Sequence, residues 1–432
     1  MRALKIGMKL LSAIITAGLS TGLSWAACPI ASVPDSSVAG QQSVLEDLRH
    51  TGYTHYKDGQ YEIADVCYAA ALQMAEAQGI KNVPVARDLN NIGALAEGMG
   101  NYDKARYYYL RELDLLARLG EAKSEMAGDV YAKLGQVMQI QGQFPEAEID
   151  YNKALSLLTQ HAGVENWRTA NALNGLGRLY LEQGKLQEAS SMLPKARAIA
   201  EKALSQDNPR LITFYDSEAY LLCQSRKFKN AEKNWMTALK IAERAYGENG
   251  IEYGALLLHM GQMYSMIGDY SAAETMFQRG LAAHTKIAGA DPLEHAILTS
   301  SLAMAYAKQR KLAEADPLIL ELTETIKADC SASPIACAFV RSNFGEYYMM
   351  KGEWRMAQTE FEQALKLREG TLGEHILVAD SLMALSRAMR KVKRKKEAKI
   401  YEARAAQILA SRNPLYDGRN TIDVRAFQAA NR

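Results

Sequence analysis

Five cysteines, seven histidines and a long supply of carboxylates are the residues of this chain that could do chemistry. Cys330 and Cys337 bracket a short stretch, DCSASPIAC, with a Pro and small residues between them. Two close cysteines in such a loop pair in an oxidising compartment, so a disulfide is expected there; in a reducing one they stay thiols. Cys67 and Cys223 fall inside helical patterns and read as small core residues. No spacing resembles a zinc site, and no metal or cofactor is expected. His50 and His55 are five apart and diverge on a helix. The chain has no Gly-rich phosphate loop before a Lys-Ser/Thr pair, no metalloprotease His pair and no Ser elbow. No catalytic residue is assigned, and the expectation is a protein that is not an enzyme.

The elements that would position such residues are helices. Ala, Leu and Glu are abundant, Pro is scarce, and no sustained alternating apolar pattern appears. Lys and Arg number 51 against 49 Asp and Glu, so there is no global charge footprint, and no nucleic-acid partner is expected. The N-terminus has its own layout: basic residues in MRALKIGMK, an uncharged apolar stretch, then small residues in SWAAC. That is the pattern of a signal peptide, 1–27, cleaved after Ala26 or Ala27; a retained anchor is the competing reading. Cleavage after Ala27 would leave Cys28 first, as in a lipoprotein, although Trp25 stands where such signals usually carry Leu. The expected address is therefore the periplasm or the extracellular space.

One hexapeptide returns about every forty-two residues: GQYEIA at 59, GNYDKA at 100, GQFPEA at 142, GKLQEA at 184, RKFKNA at 226, GDYSAA at 268, RKLAEA at 310 and GEWRMA at 352. A worn ninth is RKKEA at 394. Its bulky residue is followed three later by Ala every time, from Ala64 to Ala398. Nine residues before the bulky position stands a small one: Gly52, Gly93, Gly135, Gly177, Ala219, Gly261, Ala303, Gly345 and Ser386. The turn breaks one helix and starts another, and the small residue lets the two approach closely. A hairpin of this kind cannot bury its apolar face alone and must stack on the next.

The small–aromatic–Ala pattern resembles the tetratricopeptide repeat (TPR), in the longer form found in kinesin light chains and similar bacterial proteins. The resemblance covers nearly all of the mature chain and implies an all-α, right-handed α-solenoid of about nine helix hairpins. The expected organisation is a linker at 28–40, the array at 41–412 with the ninth repeat as a degenerate cap, and a tail at 413–432. HEAT and armadillo repeats have a similar length but lack the triplet. Pro194 and Pro317 fall inside second helices and should kink them.

In the resembling family the first helix of each hairpin lines an inner groove that holds ligands. Carried onto this sequence, the groove positions give the candidates Asn90, Asn91, Gln136, Asn174, Arg178, Tyr220, Gln262, Met304, Asn343 and Glu346. An Asn amide donates and accepts at once and can hold an extended peptide backbone; the competing reading is a solvated or locally bonded Asn. Met in the later groove adapts to varied partners, or simply fills core. The implied function is a scaffold binding a peptide or protein segment. The alternative is an enzyme, or enzyme subunit, using groove carboxylates such as Glu97 and Glu346. Membrane association could come from lipidation at Cys28 or from the basic run at 390–396, which otherwise reads as a soluble cap.

Overall fold

The computed structural model describes residue 28, residues 38–57, 60–286 and 292–326, residue 330, and residues 333–412. The leader 1–27, most of the linker and the tail 413–432 lie outside the described residues. Those described hold eighteen helices and no strand. They form nine consecutive hairpins, each with a first helix A and a second helix B. The pairs are α1 (Val38–Lys57) and α2 (Tyr61–Ala77); α3 (Val83–Gly98) and α4 (Tyr102–Arg118); α5 (Glu125–Ile140) and α6 (Phe144–His161). Then come α7 (Trp167–Glu182) and α8 (Leu186–Ala203); α9 (Leu211–Gln224) and α10 (Phe228–Tyr246); α11 (Ile251–Ile267) and α12 (Tyr270–His284). The last are α13 (Pro292–Lys308) and α14 (Leu312–Ile326); α15 (Pro334–Lys351) and α16 (Trp354–Leu372); α17 (Ile376–Lys391) and α18 (Lys395–Arg412). Stacked hairpins of this kind make an α-solenoid. The first helix begins at Val38, slightly ahead of the expected start of the array at 41.

The recurring hexapeptide supplies the hairpin turn. Its first residue takes a left-handed backbone conformation, as at Gly100 and Gly142. The residue after it donates back into the last turn of helix A, as Asn101 does to the Ala96 carbonyl and Lys185 to that of Tyr180. Every helix B then starts at the bulky position, including the lapsed one at Lys395. Where Arg226, Arg310 and Lys393 replace the glycine, the backbone still adopts the left-handed form. The fold imposes the turn on residues that disfavour it, at a cost of about 1–2 kcal/mol each. Asn82, Ser124 and Asn166 cap the starts of α3, α5 and α7 with side-chain acceptors. Pro194 and Pro317 sit inside α8 and α14, which continue through them.

The small residue is explained by a contact with the position sixteen later, on helix B. A Cβ on Gly93 would stand 2.5 Å from the Tyr109 ring, and one on Gly135 would stand 2.9 Å from that of Tyr151. One on Gly177 would stand 2.7 Å from Leu193, and Gly261 and Gly345 meet Phe277 and Phe361 in the same way. Those partners are almost fully buried. The bulky side chain thus lies directly on the helix A backbone, which sets the hairpin's width. The bulky residue nine positions on contributes less: Phe144 is buried, but Leu186 is exposed. In the worn ninth hairpin Glu402 takes the buried partner's place and bonds to Ser386.

The chain divides into two compact units, Met1–Gln141 with Ile149–His161, and Gly142–Glu148 with Ala162–Arg432. In the first, α1 to α5 and most of α6 stack in order, and Cys28 is bonded to Cys67. The second carries a contact that a linear stack does not need. His375 Nε2 donates to the Glu182 carbonyl at 2.8 Å, across 193 residues of sequence. Its Nδ1 accepts from the Leu377 N–H and so caps α17, and its ring lies 5.6 Å from that of Phe144. Gly142 faces the Thr371 carbonyl so closely that a Cβ would come within 2.7 Å of it. The second unit therefore joins its first segment to its eighth and ninth hairpins.

Two expectations follow. Arg310→Gly should raise stability by about 1 kcal/mol, because glycine adopts the left-handed turn without strain. Gly142→Ala should destabilise the chain more than Gly100→Ala, since a Cβ at Gly100 meets nothing within 4 Å. Urea titrations would check both, and equal losses for the two alanine variants would contradict the closure.

Candidate functional site

The A helices carry a polar ladder. Where the small residue of a hairpin is the reference, the side chain three before it bonds to the side chain two before the small residue of the next hairpin. In the first unit Lys133 Nζ donates to Asn90 Oδ1 at 2.6 Å. In the second, Asn174 Nδ2 donates to Ser217 Oγ at 3.1 Å, His259 Nδ1 bonds Asp216 Oδ1 at 2.7 Å, and Asn343 Nδ2 donates to Ser300 Oγ at 3.0 Å. Each pair is 43 residues apart. A second set joins the acidic residue after the column Ala to the next A helix. Tyr180 donates to Glu148 at 2.8 Å, Tyr264 to Glu232 at 2.6 Å, and Tyr347 to Asp316. From outside the A helices, Lys104 on α4 and Lys311 in the turn before α14 reach Asp65 and Glu274 at 2.6 and 2.8 Å.

These rungs change the reading of the candidates. Asn90 holds Glu112 as well as Lys133, and Asn174 is buried. Asn343 is engaged by the preceding hairpin. Three of the four asparagines expected to meet a ligand thus join hairpin to hairpin; Asn91 is half-buried. Glu346 pairs with Arg387. Met304 packs against the core around Val340 and Phe344. Met304 and Glu346 stand immediately after a small residue; at the same place in earlier hairpins Gln136, Arg178 and Tyr220 are exposed and Gln262 is half-exposed. On α7, α9, α11 and α13 that column reads Arg178, Tyr220, Gln262, Met304, four chemistries on consecutive A helices of one unit.

Two clusters of charge stand on the A-helix side. In the first unit, burial raises the Glu112 carboxyl to about 7, although Asn90 and Lys133 pull it down. Burial likewise lowers the Lys133 ammonium, while Glu112, Glu97 and Asp129 oppose that. Glu97 is raised by burial and accepts from the Tyr109 hydroxyl at 2.9 Å. A carboxyl near neutrality suits acid–base chemistry, but Glu112 is only 1% exposed and enclosed by its own partners. Its geometry is that of a structural network. In the second unit, burial would raise Asp216, yet His259, Arg178 and the Trp235 N–H hold it down at about 2. Trp235 Nε1 donates to Asp216 Oδ1 at 2.8 Å. Among the described residues, no group of three His, Cys, Asp or Glu could hold a metal ion, and no helix is long and apolar enough to cross a membrane.

The cysteines bring a correction. Cys67, expected as an unpaired core residue, is buried and bonded to Cys28. With its sulfur in that bond, Cys28 cannot also carry a thioether-linked lipid. Sequence reasoning missed the pair because the two lie 39 residues apart and share no motif. Cys330 and Cys337 are bonded; Cys223 is a buried free thiol, pushed up to about 11 by burial. Within the basic run, Arg390 makes two bonds to Glu402, Arg394 pairs with Glu397, and Lys391 lies 5.0 Å from the Trp354 ring centre. Lys393, Lys395 and Lys396 are exposed.

With the hairpins and their ladder in place, comparison with known proteins decides the family. A tetratricopeptide repeat profile matches residues 48–118, 126–202, 211–286 and 334–411, more than half of the chain. The chain belongs to the tetratricopeptide repeat family. No curated protein matches this TPR chain. Among solved structures it is similar to a Rap protein complexed with competence and sporulation factor, at 16% identity over 86% of this chain and 100% of that one, with a TM-score of 0.57. BtubC (BKLC) from P. vanneervenii is 21% identical over 52% of this chain and 91% of that one, with a TM-score of 0.46. Putative kinesin light chain TPR-like repeats from Podosopora anserina are 18% identical over 56% and 94%, with a TM-score of 0.28. At these identities the likeness speaks to the fold, which the Rap protein shares over its whole length.

The raised Glu112 carboxyl has a stability consequence. Its folded value of about 7 lies above the ordinary 4.5, so its contribution is full below about pH 4.5 and is lost as pH rises through about 7. Glu112→Gln removes that titration. Between pH 5 and pH 8 the variant should gain up to about 3 kcal/mol on the wild type. Urea titrations across that range would show it, and a constant difference would contradict it.

Proposed function

We propose that this TPR protein is an exported, non-enzymatic scaffold that grips a segment of polypeptide along the A-helix face of its second unit. The observation that carries the reading is the column Arg178, Tyr220, Gln262 and Met304. The ladder beside it is closed by internal bonds, whereas this column offers an exposed cation, an exposed aromatic and a half-exposed amide at successive hairpins, with the Met304 thioether partly buried after them. A row of different chemistries repeated at hairpin spacing suits an extended chain, whose side chains alternate along its length. The Rap protein with this fold was crystallised complexed with competence and sporulation factor, which is in keeping with a ligand-holding role. Export is supported by the leader-like N-terminus and by the two disulfides, which persist in oxidising compartments. The periplasm or the extracellular space is the address proposed.

The test is affinity capture from the cell envelope with crosslinking, comparing the wild type with Arg178→Ala/Tyr220→Ala/Met304→Ala. A partner held by the wild type should be lost by the variant while its helical content is unchanged. Equal capture by a folded variant would move the site away from the column.

A further inference from the structure

The last hairpin carries a charge arrangement that neither the ladder nor the A-helix column uses. Its turn and the start of its second helix read KVKRKKEAKIYEAR from 391. The arginines of this region are already paired with carboxylates. Arg390 makes two bonds to Glu402, at 2.7 and 2.6 Å. Arg394 pairs with Glu397, and Arg404 reaches Glu374 at 2.7 Å and Glu369 beside it. Both acidic residues of α18, Glu397 and Glu402, are thereby engaged. Lys393, Lys395, Lys396 and Lys399 are exposed and make no ion pair among the described residues. The cations left over are lysines.

These lysines share a face. Ala398, Ala405 and Ile408 of α18 turn inward to the core of the last hairpins. At about 100° per residue, Lys395, Lys396, Lys399, Ile400, Ala403 and Gln407 fall within an arc of about 140° on the other side, and all six are exposed. Ile400 stands among the lysines with 67% of its surface exposed. Lys391 lies 5.0 Å from the Trp354 ring centre and so adjoins the start of α16, where Arg355 and Met356 are exposed. Local stability runs against this placement. Lys395 and Lys396 occupy the first turn of α18, the positive end of the helix dipole, where cations are disfavoured. Lys393 holds a left-handed φ of 68°, where the preceding hairpin has Gly352 at 80°. A cap needed only for solubility would be served as well by acidic residues in that turn.

We propose that the outer face of α18 and the turn before it dock the protein onto an anionic lipid bilayer, with Lys393, Lys395, Lys396 and Lys399 among the headgroups and Ile400 entering the interface. Two features favour a lipid surface over an acidic polypeptide. Arginine recognises an anion through a directed, two-pronged contact, whereas lysine is a mobile point charge that suits a diffuse layer of phosphates. Here the arginines are held by their own carboxylates and the lysines are free. The second feature is Ile400. An exposed aliphatic side chain between lysines has an apolar phase to enter at a bilayer, while the lysine stems lie along it and keep their ammonium groups in the headgroup layer. Each lysine near such a surface adds to the attraction, and salt screens it. The A-helix column is left to its polypeptide, and the lipid contact does not depend on it.

The experiment sediments the full chain with large vesicles of phosphatidylcholine, alone or with about 30% phosphatidylglycerol, at about 0.1 M salt. The wild type should bind the phosphatidylglycerol vesicles more tightly, and the difference should vanish at about 1 M salt, where charges are screened beyond about 3 Å. Any contact made by the apolar stretch near the N-terminus is common to both vesicles and cancels in the comparison. Lys393→Gln/Lys395→Gln/Lys396→Gln/Lys399→Gln should keep its helical content, since Gln and Lys form helix about equally well. It should bind the anionic vesicles roughly fivefold more weakly for each lysine removed. Ile400→Ser should weaken binding while leaving its salt dependence unchanged. No added binding from phosphatidylglycerol, or equal binding by the folded four-lysine variant, would overturn the proposal. Displacement from the vesicles by polyglutamate at a lower charge concentration than the lipid presents would also overturn it and assign the lysines to an acidic polypeptide.

Discussion

The constraint on which this structure depends is the contact between a helix A backbone and one bulky side chain sixteen residues later. At Gly93, Gly135, Gly261 and Gly345 the ring of Tyr109, Tyr151, Phe277 or Phe361 occupies the volume that a Cβ would need. That contact brings the two helices of each hairpin together and fixes their mutual rotation. The apolar faces left over can be buried only against a neighbouring hairpin, so stability is shared along the stack. A small residue at one position and a ring at another thus decide the architecture, and the rest of the sequence acts within it.

What the hairpins then do with their A helices divides into two tasks. Side chains two and three before the small residue bond from one hairpin to the next, and the buried Asn174 amide finds an acceptor there in Ser217. On α7, α9 and α11 the side chain just after the small residue is exposed or half-exposed and differs at each step. The same spacing that repeats the structural bonds therefore repeats the recognition positions, one row beside the other. Closure of the second unit, through His375 and the Glu182 carbonyl, gives these helices a fixed frame that a stack held only by nearest neighbours would lack.

Much of the fold could be read from the residues alone because its signals are chemically uniform. The turn glycine, the small residue and the column Ala recur as the same few types, so periodicity exposes them. The sixteenth position was missed since it is filled by Tyr, Leu, Trp, Phe and Ile in turn, alike in bulk but not in identity. The ladder was hidden for a stronger reason: its rungs are Asn with Lys, Asn with Ser, Asp with His, and Ser with Asn. No single residue type marks them, and only the hairpin stacking brings each pair together. Asn90, Asn174 and Asn343 consequently looked like ligand contacts. The Cys28–Cys67 bond escaped in the same way, because the two cysteines lie 39 residues apart in the sequence.

The central claim is that recognition belongs to the accessible column on the A helices and not to the outer face of the B helices. The most direct measurement places a photo-crosslinking amino acid at Tyr220 in one variant and at Leu320 in another, and irradiates each in the cells that make it. Tyr220 is exposed on an A helix, and Leu320 is the more exposed of the two, on a B helix. The account predicts a covalent adduct with a polypeptide from position 220 and none from position 320. Adducts from position 320 with none from position 220 would contradict it.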